Sequence, residues 1–226
     1  MVVQTSIPLL ENGDRLSRSE FERRYLAMPN HQKAELIEGA VYMASPLRFN
    51  RHAKPHGALI TWLGVYQIAT PGVSLGIEPT ILLDLDNELQ PDGVLLLDVG
   101  GGAHITEDDY IEGAPELVIE IAASSAGYDL HDKKRVYRRN GVREYLVWQQ
   151  HENQLDWFFL DLDQYVTREV DERGIVRSHI FPGLWLAVEA LLTGEMNQVL
   201  TVLQEGINSP EHNNFVQILA ERNSAK

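Results

Sequence analysis

Two carboxylates set inside apolar runs could do chemistry in this chain: Asp92, at the head of Gly93-Val-Leu-Leu-Leu97, and Glu120, in the middle of Leu117-Val-Ile-Glu-Ile-Ala122. Each run reads as a buried strand, and a carboxylate there loses hydration at a cost of several kcal/mol unless a cation or hydrogen-bond donors compensate. Two such acids on adjacent strands form a seat for a hard divalent ion, and Mg²⁺ takes one or two protein carboxylates while keeping several waters. Lys133 follows in Asp129-Leu-His-Asp-Lys-Lys-Arg135, and a cation beside the attacking water and a scissile phosphate stabilises developing charge. The order Asp, Glu, Lys points to metal-assisted phosphodiester hydrolysis, with Mg²⁺ or Mn²⁺ held by Asp92 and Glu120. Asp129, Lys133 and Tyr137 are spaced by four, so on a helix they share one face.

Other constellations carry less. His52 and His56 have the i, i+4 spacing of a helical zinc pair, but Pro55 between them disfavours one continuous helix; solvated or capping histidines are the plainer reading, with His56 able to approach a phosphate. Ser124 and Ser125 lack the glycine-flanked elbow of a serine hydrolase. A glycosidase built on the two carboxylates would leave the Lys133 helix without a role.

Positioning these groups requires an ordered scaffold. The 226 residues suffice for one large domain with a substantial core. Ser17 with Glu20 forms a capping-box pattern ahead of Phe21, Tyr25 and Met28, which predicts a helix. A strand pair turns near Gly39, and an apolar helix runs from Gly57 to Ala69, stopped by Pro71-Gly72. Strands are expected at 73–77, 79–85 and 92–98, then the Glu120 strand, a helix over 127–140 ended by Gly141, and a strand pair at 143–148 and 154–161. This pattern predicts a mixed α/β sheet with a crossover. We expect a catalytic domain over 1–185 and a helical tail over 186–226.

The net charge of −14 lowers the expectation of tight general nucleic-acid binding, which depends on Lys and Arg at phosphates. The cations are nonetheless clustered, at Arg48 to His56 and at Lys133 to Arg143, so a local phosphate-binding face is compatible with overall acidity. The chain has no cysteine, which excludes disulfides and thiolate sites. With no signal-like start and no apolar run of membrane-spanning length, a cytoplasmic protein is expected.

The ordered set Glu35-Leu-Ile-Glu-Gly39, Ser45-Pro46, His56, Pro91-Asp92, Pro115-Glu-Leu-Val-Ile-Glu120, Asp129 with Lys133 and Tyr137, and Gly141-Val-Arg-Glu-Tyr145 resembles the Uma2-like family. That family is classed with the restriction-endonuclease-like PD-(D/E)XK nucleases. The resemblance implies a restriction-endonuclease-like core and a metal on Asp92 and Glu120. It also implies Glu35 as an accessory acid and Lys133 in place of the superfamily lysine, since Ala122 stands where that lysine normally lies. His56, Lys134 and Tyr137 would then face a nucleic-acid substrate, DNA in the first instance, and a homodimer would suit cleavage of both strands. A non-catalytic interaction module on the same fold is the alternative.

Overall fold

The computed structural model describes residues 7–29, 33–123, 128–167 and 170–224. It is a mixed α/β structure, as expected, but the strands form two large sheets where one was anticipated. The site-bearing sheet has the order β12-β11-β10-β9-β6-β3. Its members are β3 (Val73–Ile77), β6 (Gly93–Leu97), β9 (Leu117–Ala122), β10 (Glu144–Gln149), β11 (Gln154–Asp161) and β12 (Gln164–Thr167). The other runs β2-β1-β5-β4-β8-β7, from β1 (Ala34–Ile37), β2 (Ala40–Met43), β4 (Ile81–Asp84), β5 (Asn87–Leu89), β7 (Ala103–Ile105) and β8 (Ile111–Gly113). A ribbon of β13 (Ile175–Arg177) and β14 (Trp185–Ala187) completes the strands.

The centre of the first sheet is buried on both faces. Every residue of β6, β9 and β10 is buried, which is why their sequences are largely continuous apolar runs in which the acids stand out. β9 and β10 pair in parallel, from Leu117 with Glu144 to Ala122 with Gln149. Such a connection needs a crossover, here supplied by a π-helical segment, Tyr128–Lys133, that leads into α3 (Lys134–Arg139). β6 and β9 are antiparallel, with Gly93 opposite Ile119.

On one face, α2 (Lys54–Ala69) lays Leu59, Trp62, Leu63 and Tyr66 onto Leu95, Leu117, Ile119 and Ile121. Full burial of such side chains stabilises by roughly 1.5–3 kcal/mol each. A Cβ at Gly93 would lie 3.0 Å from both Ile119 and Ile60, so glycine lets α2 settle closely on the sheet beside Asp92. The helices α4 (Val188–Thr193), α5 (Met196–Ile207) and α6 (Pro210–Ser224) contribute Leu191, Val199, Leu203 and Leu219 to this same core. The opposite face packs Val94, Val118, Val136, Tyr137 and Tyr145 against Ile37, Ile81, Leu89 and Ile111 of the second sheet. Among the described residues no helix is long and apolar enough to cross a membrane.

One local expectation fails for an identifiable reason. α1 (Arg18–Leu26) forms, but Ser17 makes no capping bond; its hydroxyl meets Ser19, and Glu20 turns instead to Arg23 and Arg24. Two strong charge-assisted contacts outcompete one backbone amide. At Gly100-Gly-Gly102, buried Glu116 accepts the amides of Gly102 and Leu97 at 2.7 and 2.9 Å.

Glu144 opens β10 fully buried, receiving the Ser178 hydroxyl at 2.9 Å and the amides of His179 and Ile180 at 2.8 and 3.1 Å. Burial dominates and pushes its pKa up to about 7, although these hydrogen bonds pull the other way. The folded protein therefore holds this proton more tightly than the unfolded chain. Its contribution is complete below about pH 4.5 and fades as pH rises through about 7, by on the order of 3 kcal/mol. Urea midpoints across that window should fall with pH, and the Glu144→Gln protein should show a shallower slope. An unchanged slope would contradict this.

Candidate functional site

Asp92 directly precedes Gly93, and Glu120 directly follows its partner Ile119, so the antiparallel pairing brings the two carboxylates to the same end of the β6–β9 ladder. Pro91 supplies no amide to the ladder, so the chain enters β6 with Asp92 at the strand end. Its Oδ2 accepts the Ile121 amide at 2.6 Å, and its Oδ1 lies 3.0 Å from His52 Nε2. Its main-chain carbonyl receives His56 Nε2 at 2.8 Å. Burial pushes the Asp92 carboxyl up, but His52, the Ile121 amide and the Lys133 ammonium outweigh it and hold the group below its ordinary value. Asp92 is thus kept ionised in a buried position.

Glu120 points to the same side. Its Oε1 receives Lys133 Nζ at 2.9 Å and the Tyr137 hydroxyl at 3.0 Å. Lys133 Nζ also lies 3.0 Å from Glu35 Oε1, while the Gln90 amide donates to that same oxygen at 2.8 Å. All three members of this ion-pair group are largely buried, Lys133 and Glu120 at 7 and 6% side-chain exposure. Glu35 comes from β1 of the second sheet, so Lys133 ties the two sheets together. The π-helical winding at 128–133 sets Lys133 one residue before α3, which places Lys133 and Tyr137 on Glu120 together. π-helical turns commonly occur at functional sites.

Glu35, His52, Asp92, Glu120 and Lys133 line a cleft of about 820 Å³, with Lys33, Arg48, Arg51 and His151 also contributing to its wall. Lys134, expected to face substrate, instead lies over the Phe158 ring, 3.5 Å from its centre. Tyr137 is fully buried behind Glu120. The side chain of Asp129 falls outside the described residues, as do Ser124 and Ser125. Arg135 and Arg139 pair with Glu38, and Arg139 also with Asp84, which turns this half of the expected basic patch toward internal ion pairs.

His52 is the residue that sequence reasoning passed over. A π-helical turn, Phe49–Ala53, runs straight into α2, and Pro55 falls in the first turn of that helix, where a missing amide costs nothing. Pro55 therefore does not separate the histidines, whose ring centres are 5.7 Å apart. Their i, i+4 spacing was the available signal.

Three carboxylates, Glu35, Asp92 and Glu120, share the cleft lining with Lys33, Arg48, Arg51 and Lys133, and Lys133 is paired with both Glu35 and Glu120. Carboxylate oxygens with neighbouring imidazoles are chemically suitable donors to a divalent cation. His52, His56 and Asp92 are a set of three such side chains whose donor atoms lie mutually within 4.8 Å.

A family profile, Uma2, described as "Putative restriction endonuclease", matches residues 18–189. The chain belongs to the Uma2 family. A solved structure from Anabaena variabilis ATCC 29413, described as "a putative nuclease belonging to DUF820", is similar with a TM-score of 0.56 and 16% identity, covering 76% of this chain and 96% of that one. That likeness speaks to the fold. No curated protein matches the chain. For this Uma2 chain, the profile spans every element that carries the cleft, from α1 to the start of α4.

Proposed function

We propose that this Uma2 protein is a metal-dependent endonuclease that hydrolyses phosphodiester bonds in nucleic acid, with DNA as the substrate of choice. The reading is carried by one arrangement: Asp92, Glu120 and Glu35 gathered around Lys133 in a cleft lined also by Lys33, Arg48 and Arg51. Asp92 and Glu120 would hold Mg²⁺ or Mn²⁺, which when bound lowers the pKa of a coordinated water and polarises a phosphate oxygen. Lys133 pairs with Glu120 and orders it, and presents positive charge to the developing phosphorane. Glu35 fixes the Lys133 ammonium. Lys33, Arg48 and Arg51 hold backbone phosphates in register, which sets position without reading sequence. The Ile121 amide and His52 orient the Asp92 carboxylate, and Tyr137 orients that of Glu120.

The catalytic domain in this reading spans 1–185 with 186–226 as a helical tail, in a cytoplasmic protein that acts as a homodimer. A non-catalytic interaction module is the second reading, favoured by the net charge of −14. Incubating the protein with closed circular DNA and with RNA, in Mg²⁺, Mn²⁺ and chelator, separates the two. Nicked or linear DNA that appears only with the ion is expected. Intact nucleic acid under all conditions would favour the interaction module.

A further inference from the structure

His52 and His56 both contact Asp92, the first at its carboxylate and the second at its main-chain carbonyl, and the two rings converge on that residue. We propose that the cation at Asp92 is also held by ring nitrogens of His52 and His56, giving a mixed nitrogen and oxygen site that takes Mn²⁺, Co²⁺ or Zn²⁺ in preference to Mg²⁺. This deepens the nuclease reading and shares with it the assignment of Asp92 as a ligand.

Three observations support the site. The first is spacing. His52 Nε2 and Asp92 Oδ1 are 3.0 Å apart, the separation of two ligands roughly 90° apart on one ion with bonds of about 2.1 Å. A ring nitrogen of His56 completes the set within 4.8 Å.

The second is orientation. The Nε2 atoms of both rings face Asp92, that of His52 at 3.0 Å from Oδ1 and that of His56 at 2.8 Å from the main-chain carbonyl, so both imidazoles present the same edge to one residue.

The third is backbone shape. The π-helical turn at Phe49–Ala53 leads directly into α2, and the close approach allowed by Gly93 brings the helix start onto the end of β6. The two rings and the carboxylate thus come from two rigid elements, as a preorganised metal site requires. Mg²⁺ demands oxygen ligands and sheds water reluctantly, whereas imidazole suits the later transition metals. Two imidazoles therefore shift selectivity away from Mg²⁺.

Tag-free protein should be titrated with Co²⁺ by visible absorption and with Mg²⁺ by calorimetry, as wild type, His52→Gln and His56→Gln. The wild type is expected to bind Co²⁺ more tightly than Mg²⁺ with a ligand-field spectrum. Each variant should lose about tenfold or more in Co²⁺ affinity while Mg²⁺ affinity changes little. Absence of Co²⁺ binding by the wild type, equal Co²⁺ affinity in all three proteins, or parallel loss of both metals would each overturn the site. Nitrogen NMR of the wild type with one equivalent of Zn²⁺ does not depend on the variants folding, and the ring resonances of His52 and His56 should shift. Unshifted rings would overturn the proposal. Co²⁺ bound through both histidines with no nucleic acid cleaved would uphold the site and overturn the nuclease reading.

Discussion

Asp92→Ala should lower ion-dependent cleavage by on the order of 10³-fold or more, with Glu120→Gln close behind. Asp92 is poised for this role by its surroundings. Its Oδ2 is fixed by the Ile121 amide at 2.6 Å, and the hydrogen bond of His52, with that amide and the Lys133 ammonium, keeps the carboxyl ionised against the cost of burial. Removing it takes away an ion ligand and leaves the Ile121 amide without its acceptor. The fold should survive, because Asp92 sits at the end of β6 and the central ladder of β6, β9 and β10 is untouched. Matching circular dichroism and thermal transitions would establish that the loss is chemical. Cleavage at near wild-type rate in Asp92→Ala would remove this residue from the mechanism.

Lys133→Met should reduce both stability and activity. The ammonium sits between Glu120 at 2.9 Å and Glu35 at 3.0 Å, almost fully enclosed. Breaking a buried ion pair by deleting one partner costs roughly 3–5 kcal/mol, because the remaining charge is left uncompensated, and here two carboxylates would be left facing one another. Denaturant unfolding should show that loss in chelator. Added Mn²⁺ should recover part of it, since an ion that binds only the folded state stabilises by mass action. Glu35→Gln in the same chain should relieve it too, by removing one of the two like charges. A Lys133→Met protein as stable as wild type would mean that solvent reaches this group freely.

The chemistry-bearing strands were readable in the sequence because burial on both faces leaves nothing to alternate. The acids at 92 and 120 stand out against unbroken apolar runs, and the pairing of β6 with β9 then brings them to the same end of the ladder. Lys133 was readable from its position after the Glu120 strand, although the contact that places it, Glu35, lies 98 residues away on another sheet. The second sheet was only partly legible. β5, β7 and β8 are three residues long, too short to show a period, and they exist because longer neighbours offer them a ladder. His52 was missed because proline was weighed as a helix breaker without allowing for its place in the first turn of α2. Lys134 stood out only by its basic neighbourhood, which carries no sign that its ammonium lies over the Phe158 ring.

The central claim, a divalent ion seated on Asp92, is tested most directly by calorimetric titration of Mn²⁺ into the wild-type protein beside Asp92→Ala, each alone and with an uncleavable oligonucleotide bound. Saturable binding by the wild type that disappears in Asp92→Ala is the expected result. Equal binding by both proteins, or none by either even with the oligonucleotide in place, would contradict it.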